Sequence, residues 1–308
     1  MIPIEIRKKY PKWIHDILNS IFPLHYVNEI ISSQLDVDRL DYLLRDAYMC
    51  GVEYGNFDLD WILKNIFISE IPPENNRKGM VINAEKGIFS IESFIISRYH
   101  MYEQVYFHKT TRAAEKLMEN IFLRLKELYE ADKRDAIGKI NESVLKIFED
   151  DFDVKDYLYL DDFLTISYIN ELSRESNDDI LKRLCSNFVN RNLYKLIDEA
   201  ANVQLFNREQ YRYISSFSNE KSLEEKYFFV EDDFTDVPYK DDYLYGKERS
   251  EDSENIWLLL KNNWIRDLAE VSEIIRALRN NVNIKYRGYF DRDYYEDFIN
   301  NFPGYKEE

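Results

Sequence analysis

Asp38, Tyr42 and Asp46 recur at a four-residue interval within LDVDRLDYLLRD. Four residues is close to one helical turn, so on a helix the three form a row: two carboxylates with a phenol between them. Arg39 and Arg45 flank it. A carboxylate can ligate a divalent cation, and an arginine can grip a phosphate through its fork of N–H donors. A second row lies in ISRYHMYEQVYFHKTTR, where Arg98, Tyr102, Tyr106 and Lys109 fall at i, i+4, i+8 and i+11. Two cations and two phenols on one face can hold phosphates and stack on a base or sugar. Each row also has a plainer reading. The first can be a solvated face whose charges pair along the helix, although Glu and Lys would serve better there and no tyrosine is needed. The second can be core tyrosine edged by snorkelling Arg and Lys. Spacing alone leaves both readings open.

These rows need helices to carry them. Leu40, Leu43, Leu44 and Ala47 make an apolar stripe at i, i+3, i+4, i+7, which predicts a helix over about 36–49, ending before Gly51. Upstream, Trp13, Ile14, Ile17, Leu18 and Ile21 predict a helix up to Pro23, and a second begins near His25. FDLDWILKNIF (57–67) predicts a helix with Asp58 as N-cap. Pro-Pro, Asn-Asn and two Gly around MVI predict a short hairpin near 70–88. Residues 90–129, free of Gly and Pro, predict unbroken helix, with further helices at about 138–149, 161–173 and 177–201. Beyond residue 203, YRYISSF and KYFFVEDD read as extended, as does DVPYKDDYLYG. IWLLLKNNWIRDLAEVSEIIRALRNN (256–281) reads as helix and NIKYRGYF as strand. The expected architecture is mostly α: a helical body over 1–202 and a small α+β C-terminal region over 203–308.

Composition narrows the function. The chain has 308 residues, 45% hydrophobic and 32% charged, values of a globular protein rather than a disordered one. A net charge of −17 argues against a nucleic-acid binder that works by bulk electrostatics. It leaves room for a small phosphorylated ligand in a local basic pocket. No apolar run approaches the ~18 residues of a membrane span. The N-terminus has no apolar signal segment, and two distant Cys offer neither a disulfide framework nor zinc spacing. These features predict a cytoplasmic protein.

SSQLDVDRLDYLLRDAYMCGVEYG, KGIFSIESFIISRYHMYEQVYFHKTTRAAEKLM and RNLYKL together resemble HD-superfamily deoxynucleoside triphosphate triphosphohydrolases, the bacterial dGTPase-like enzymes and the animal enzyme with SAM and HD domains. YFFVEDDFTDVPYKD and EVSEIIRAL…IKYRGYF resemble that family's C-terminal region, so the likeness runs from about residue 30 to 290. It implies an HD-domain-like helical body in which Asp38 is the last metal ligand of an H…HD…D motif. By the same resemblance Arg39 and Arg98 approach the triphosphate, Tyr42 and Asp46 meet the sugar, and Tyr106 packs on the deoxyribose or base. Tyr102 departs from the His common in the animal enzyme. His108, Lys109, Arg191 and Lys195 match positions that contact activating nucleotides between subunits there. The implied ligand is a dNTP, the implied assembly a homo-oligomer, and the implied cofactor a divalent metal (Mn, Mg or Fe).

The motif's earlier His and its His-Asp pair have no good match upstream of Asp38. His15-Asp16 lies only 22 residues before Asp38, without the expected flanking residues, and reads as an ordinary helical pair. A first-row divalent ion needs three or more protein ligands. The chain therefore resembles the C-terminal two-thirds of such an enzyme, a body incomplete at its N-terminus and inactive alone. A separate chain carrying the H…HD half, a degenerate nucleotide-binding or oligomerisation module, or a truncated reading frame would each account for this.

Overall fold

Helix caps legible in the sequence shape the first elements. The structure, a computed structural model, describes residues 4–72, 77–138, 142–149, 153–201, 205–222, 224–236, 238–239, 255–279 and 283–303. Helices α1 (Ile4–Leu18) and α2 (His25–Ile31) lead into α3 (Val37–Cys50). Asp36 opens α3 by accepting the Arg39 N–H at 2.8 Å, and Gly51 closes it at φ +69°. Leu40, Leu43 and Ala47 of the expected stripe are buried. Asp58 caps α4 (Leu59–Asn65) through the Trp61 N–H at 2.9 Å. This helix is shorter than its sequence span because Ile66–Glu70 forms β1, antiparallel to β2 (Lys78–Asn83). That is the hairpin expected around MVI.

The long helix expected over 90–129 is interrupted. Helix α5 (Ala84–Met101) runs into a π-helical turn, Tyr102–Tyr106. His108 then leaves the helical region (ψ 135°) and caps α6 (Lys109–Glu130). Short helices α7 (Arg134–Ile137), α8 (Glu142–Leu145) and α9 (Val154–Tyr159) follow, then α10 (Asp162–Glu175) and α11 (Asp179–Val189). A 3-10 turn (Lys146–Phe148) occupies part of the helix expected at 138–149.

The helix expected to run to residue 201 stops at Val189. Arg191 takes the left-handed conformation (φ +56°), and the Asn192 N–H returns 2.7 Å to the Asn187 carbonyl, the long bond of a Schellman turn. Lys195–Ala201 is therefore strand β3. YRYISSF, expected to be extended, lies in α12 (Arg208–Glu220), because Asn207 and Gln210 form a reciprocal capping box and Ile214 and Phe217 point inward. After α13 (Glu225–Phe228) comes β4 (Phe229–Asp236). The apolar run expected to be helical from 256 holds β5 (Trp257–Leu259) and β6 (Ile265–Asp267) before short helices α14 (Leu268–Val271) and α15 (Glu273–Leu278). Trp257 and Leu258 are both buried, so this strand shows none of the alternation that marks a half-exposed one. Strand β7 (Asn283–Phe290) forms as expected, and α16 (Tyr295–Ile299) follows. Most of DVPYKDDYLYG lies outside the described residues.

The fold is mostly helical, with two small sheets in two discontinuous compact units. One unit comprises residues 1–106 and 235–283. Its sheet has the order β1-β2-β5-β6, with β2 and β5 parallel (Val81 opposite Trp257). Its core gathers Leu43, Ile62, Phe94 and Ile95 with Tyr239, Leu258 and Leu268. The other comprises residues 107–234 and 284–308. Its three-stranded sheet has the order β3-β7-β4, and its main core packs Leu117, Ile121 and Leu125 of α6 against Tyr168, Leu172, Leu181 and Leu184. A second cluster in this unit holds Phe206, and a Cβ on Gly288 of β7 would sit 2.4 Å from its ring. Among the described residues, no helix is long and apolar enough to cross a membrane.

Candidate functional site

The polar residues of α3 divide between two environments. Asp41 and Arg45 pair at 3.1 Å with both side chains mostly in water, a contact of little energetic consequence. For these two residues the plain surface-helix reading holds. Tyr42 and Asp46 instead face the end of α5. The Tyr106 hydroxyl donates to Asp46 Oδ2 at 2.7 Å, and the Tyr42 and Tyr102 hydroxyls lie 3.4 Å apart. The Tyr102 and Tyr106 rings meet edge to face at 5.1 Å, and Tyr42 and Tyr106 at 6.1 Å. The π-helical turn, a device frequent at functional sites, carries both Tyr102 and Tyr106. Burial, then the neighbouring Tyr102 hydroxyl, pushes the Tyr42 phenol well above its ordinary range. Burial and the Asp46 carboxylate do the same to Tyr106, so both stay protonated and able to donate.

Arg98 lies just behind this cluster. It is 8% exposed, donates to the Pro238 carbonyl at 3.3 Å, and its guanidinium lies 5.3 Å from the Tyr102 ring centre. Its buried Nε has no hydrogen-bond partner among the described residues, leaving a charged donor with unused capacity. Arg39 lies nearer the surface, its Nε 3.5 Å from Asp36. Pro238 gave no sign of this role in the sequence, because a backbone carbonyl leaves none.

Asp38 stands apart from the tyrosines. It is exposed at the start of α3, and its side chain makes no hydrogen bond or ion pair among the described residues. Among those residues, no three His, Cys, Asp or Glu side chains gather as a divalent ion requires. The His15 and Asp16 side chains pair with each other at 3.4 Å, with His15 largely in solvent. The residues present do not by themselves fit a metal ion.

The other unit brings a second set together. Lys109, Arg191 and Lys195 line one pocket of about 280 Å³. Arg292 joins them as a fourth cation that sequence reading missed, along with Tyr194, Tyr289 and Tyr295. Arg292 lies far along the chain from the others, so no local spacing pointed to it. Lys109 and Thr110 bring the N-terminal end of α6, 22 residues long, to the pocket, adding its partial positive charge. His108 is not a lining residue; its Nδ1 accepts the Thr110 N–H at 3.2 Å and fixes that helix start. Tyr289 donates to the Lys109 carbonyl at 3.2 Å, and burial pushes its phenol up to about 12. Four cations, a helix N-terminus and tyrosine edges suit a polyanion with an aromatic part.

Known proteins resemble this chain over much of its length. Residues 74–144, which include the π-helical turn and all of α6, match the family model of an HD associated region. The protein YwfO of Bacillus subtilis is 32% identical over 284 residues, 92% of this chain and 62% of that protein. A homologue of the deoxynucleoside triphosphate triphosphohydrolase SAMHD1 in Dictyostelium discoideum is 26% identical over 56% of this chain and 29% of its own length. A phosphohydrolase of Bacteroides thetaiotaomicron shares the fold, with a TM-score of 0.69 at 24% identity over 92% of this chain and 70% of that one. Residues 74–144 thus match an HD associated region, and the chain is similar to proteins of the HD superfamily. The chain spans less than two thirds of the length of the curated relatives it matches.

Proposed function

We propose that this chain supplies the substrate-side part of an HD-type dNTP triphosphohydrolase, which converts a dNTP to deoxynucleoside and triphosphate. The observation that carries the reading is the Tyr106–Asp46 hydrogen bond inside the tyrosine cluster, with Arg98 behind it holding an unpaired donor. In this proposal Asp46 accepts the deoxyribose 3′-hydroxyl and Tyr106 and Tyr42 form the wall against the sugar. Arg98 and Arg39 bind phosphate oxygens, and Tyr102 holds the aromatic wall. A divalent metal (Mn, Mg or Fe) would supply the activated water when bound. Asp38 would be its one ligand from the described residues, the others coming from another segment or a separate chain that carries the H…HD half.

The second reading is a non-catalytic nucleotide-binding or oligomerisation module. The self-contained basic pocket favours it, since Lys109, Arg191, Lys195 and Arg292 lie in a unit that holds none of the tyrosine cluster. Under the first reading the same pocket takes an activating nucleotide, with His108 ordering its edge, in a homo-oligomer.

The purified chain, Mn²⁺ or Mg²⁺ and each dNTP separate these readings. Binding of dNTP without triphosphate release, with release restored by a segment carrying the missing His and His-Asp ligands, is the expected result. Release by the chain alone would overturn the outside-ligand claim. Binding that survives Asp46→Ala but is lost in Lys195→Ala would favour the non-catalytic module.

A further inference from the structure

The unit of residues 107–234 and 284–308 holds another cavity, of about 390 Å³, on the opposite chemistry from the basic pocket. Its lining includes Tyr286 of β7, Tyr211 of α12 and Leu205, with Glu231 and Asp233 of β4. Gly288 helps to shape it, since the missing side chain lets Leu205 and Phe206 close over the sheet two residues from Tyr286. The two buried charges in the lining are already neutralised. Asp232 is held by both nitrogens of an Arg112 fork, and Arg287 by Glu199 and the Phe107 carbonyl. The exposed carboxylates of Glu231 and Asp233 remain to define the ligand. Glu231 accepts the Tyr211 hydroxyl at 2.5 Å, while the Asp233 side chain has no hydrogen bond or ion pair among the described residues.

We infer that this cavity binds an aliphatic polyamine. Carboxylates two residues apart on one strand face stand about 7 Å apart, the reach of two ammonium groups joined by three or four carbons. The methylenes between them would lie on Leu205 and the tyrosine faces, and an ammonium over a tyrosine ring gains a cation–π contact. A volume of 390 Å³ lies in the size class of small-molecule sites. The net charge of −17 raises the local concentration of such cations around the protein. Phosphate chemistry plays no part here, so the site stands or falls independently of the function proposed above.

Calorimetric titration of the full chain with spermidine, at near-physiological salt, tests this. Saturable one-to-one binding is expected, weakened about tenfold by Asp233→Asn and by Glu231→Gln, and several-fold by Tyr286→Leu. Both carboxylates are exposed, so their amide variants keep the fold; unchanged thermal unfolding checks this. Asp135→Asn removes the same charge from exposed α7 and should leave affinity unchanged. Heat that never saturates, equal weakening by Asp135→Asn, or full affinity in Asp233→Asn would overturn the site.

Discussion

The phenol of Tyr106 donates a 2.7 Å hydrogen bond to the carboxylate of Asp46, tying the π-helical turn after α5 to the face of α3. Both partners are only partly buried, so the bond is open to a ligand as well as structural. Tyr106→Phe, Asp46→Asn and the double variant should show a coupling of about 1–2 kcal/mol in urea unfolding, as a hydrogen bond to a charged acceptor does. Because the Tyr106 pKa is raised, this stability is fully present below the ordinary phenol range and falls as pH rises through the folded value. A coupling near zero at neutral pH would show that the contact does not matter to the fold.

Arg191 holds a left-handed backbone (φ +56°) at the turn that ends α11, where glycine is the usual residue. The strained residue also lines the basic pocket, a placement that suggests function retained at the expense of stability. Arg191→Gly should leave stability unchanged or raise it by up to about 1 kcal/mol, while weakening inorganic tripolyphosphate binding. The salt dependence of that binding should flatten too, since one fewer cation contributes. Loss of stability with unaltered tripolyphosphate affinity would contradict this assignment.

Asp178 caps α11 through the Leu181 N–H at 2.8 Å and pairs with Arg124 at 2.6 Å. Burial alone would raise its pKa, but the Arg124 and Leu181 donors outweigh it and hold the carboxyl below its usual range. A depressed carboxylate stabilises the fold above its unfolded pKa, ~3.9, and that contribution disappears as pH falls through the folded value. Asp178→Asn keeps the cap but loses the charge. It should destabilise by about 1–3 kcal/mol at pH 7, the difference closing in strong acid as thermal melts are followed downward in pH.

Gly288→Ala should destabilise by about 1–3 kcal/mol, because the added methyl would meet the Phe206 ring at 2.4 Å and the backbone of β7 has little room to retreat. Pairing it with Phe206→Leu, which makes space, should recover part of the loss. Thermal unfolding of the three variants decides the point.

Much of the scaffold was legible because its causes are local. The Asp58 cap, the stripe Leu40–Leu43–Ala47, the Gly51 stop and the hairpin around MVI act over a few residues, and each formed where expected. The row of Asp38, Tyr42 and Asp46 was equally plain, but spacing could not tell which members face a neighbour. That depended on the turn at Tyr102–Tyr106, sixty residues on, which took Tyr42 and Asp46 and left Asp38 exposed.

What only the tertiary structure decided follows from contacts distant in sequence. Residues 257–259 are a strand because β2 pairs beside them, Val81 opposite Trp257; without that partner the apolar run is as consistent with helix. Lys195–Ala201 is a strand because Arg191 turns the chain and β7 receives it. Arg98 finds its carbonyl at Pro238, and Arg292 meets Lys109, Arg191 and Lys195 in one pocket. The sequence by itself determined which residues have the chemistry and where the locally signalled helices α3 and α4 lie. Packing between segments separated by tens to nearly two hundred residues decided which of them meet, since neither propensity nor periodicity reaches that far.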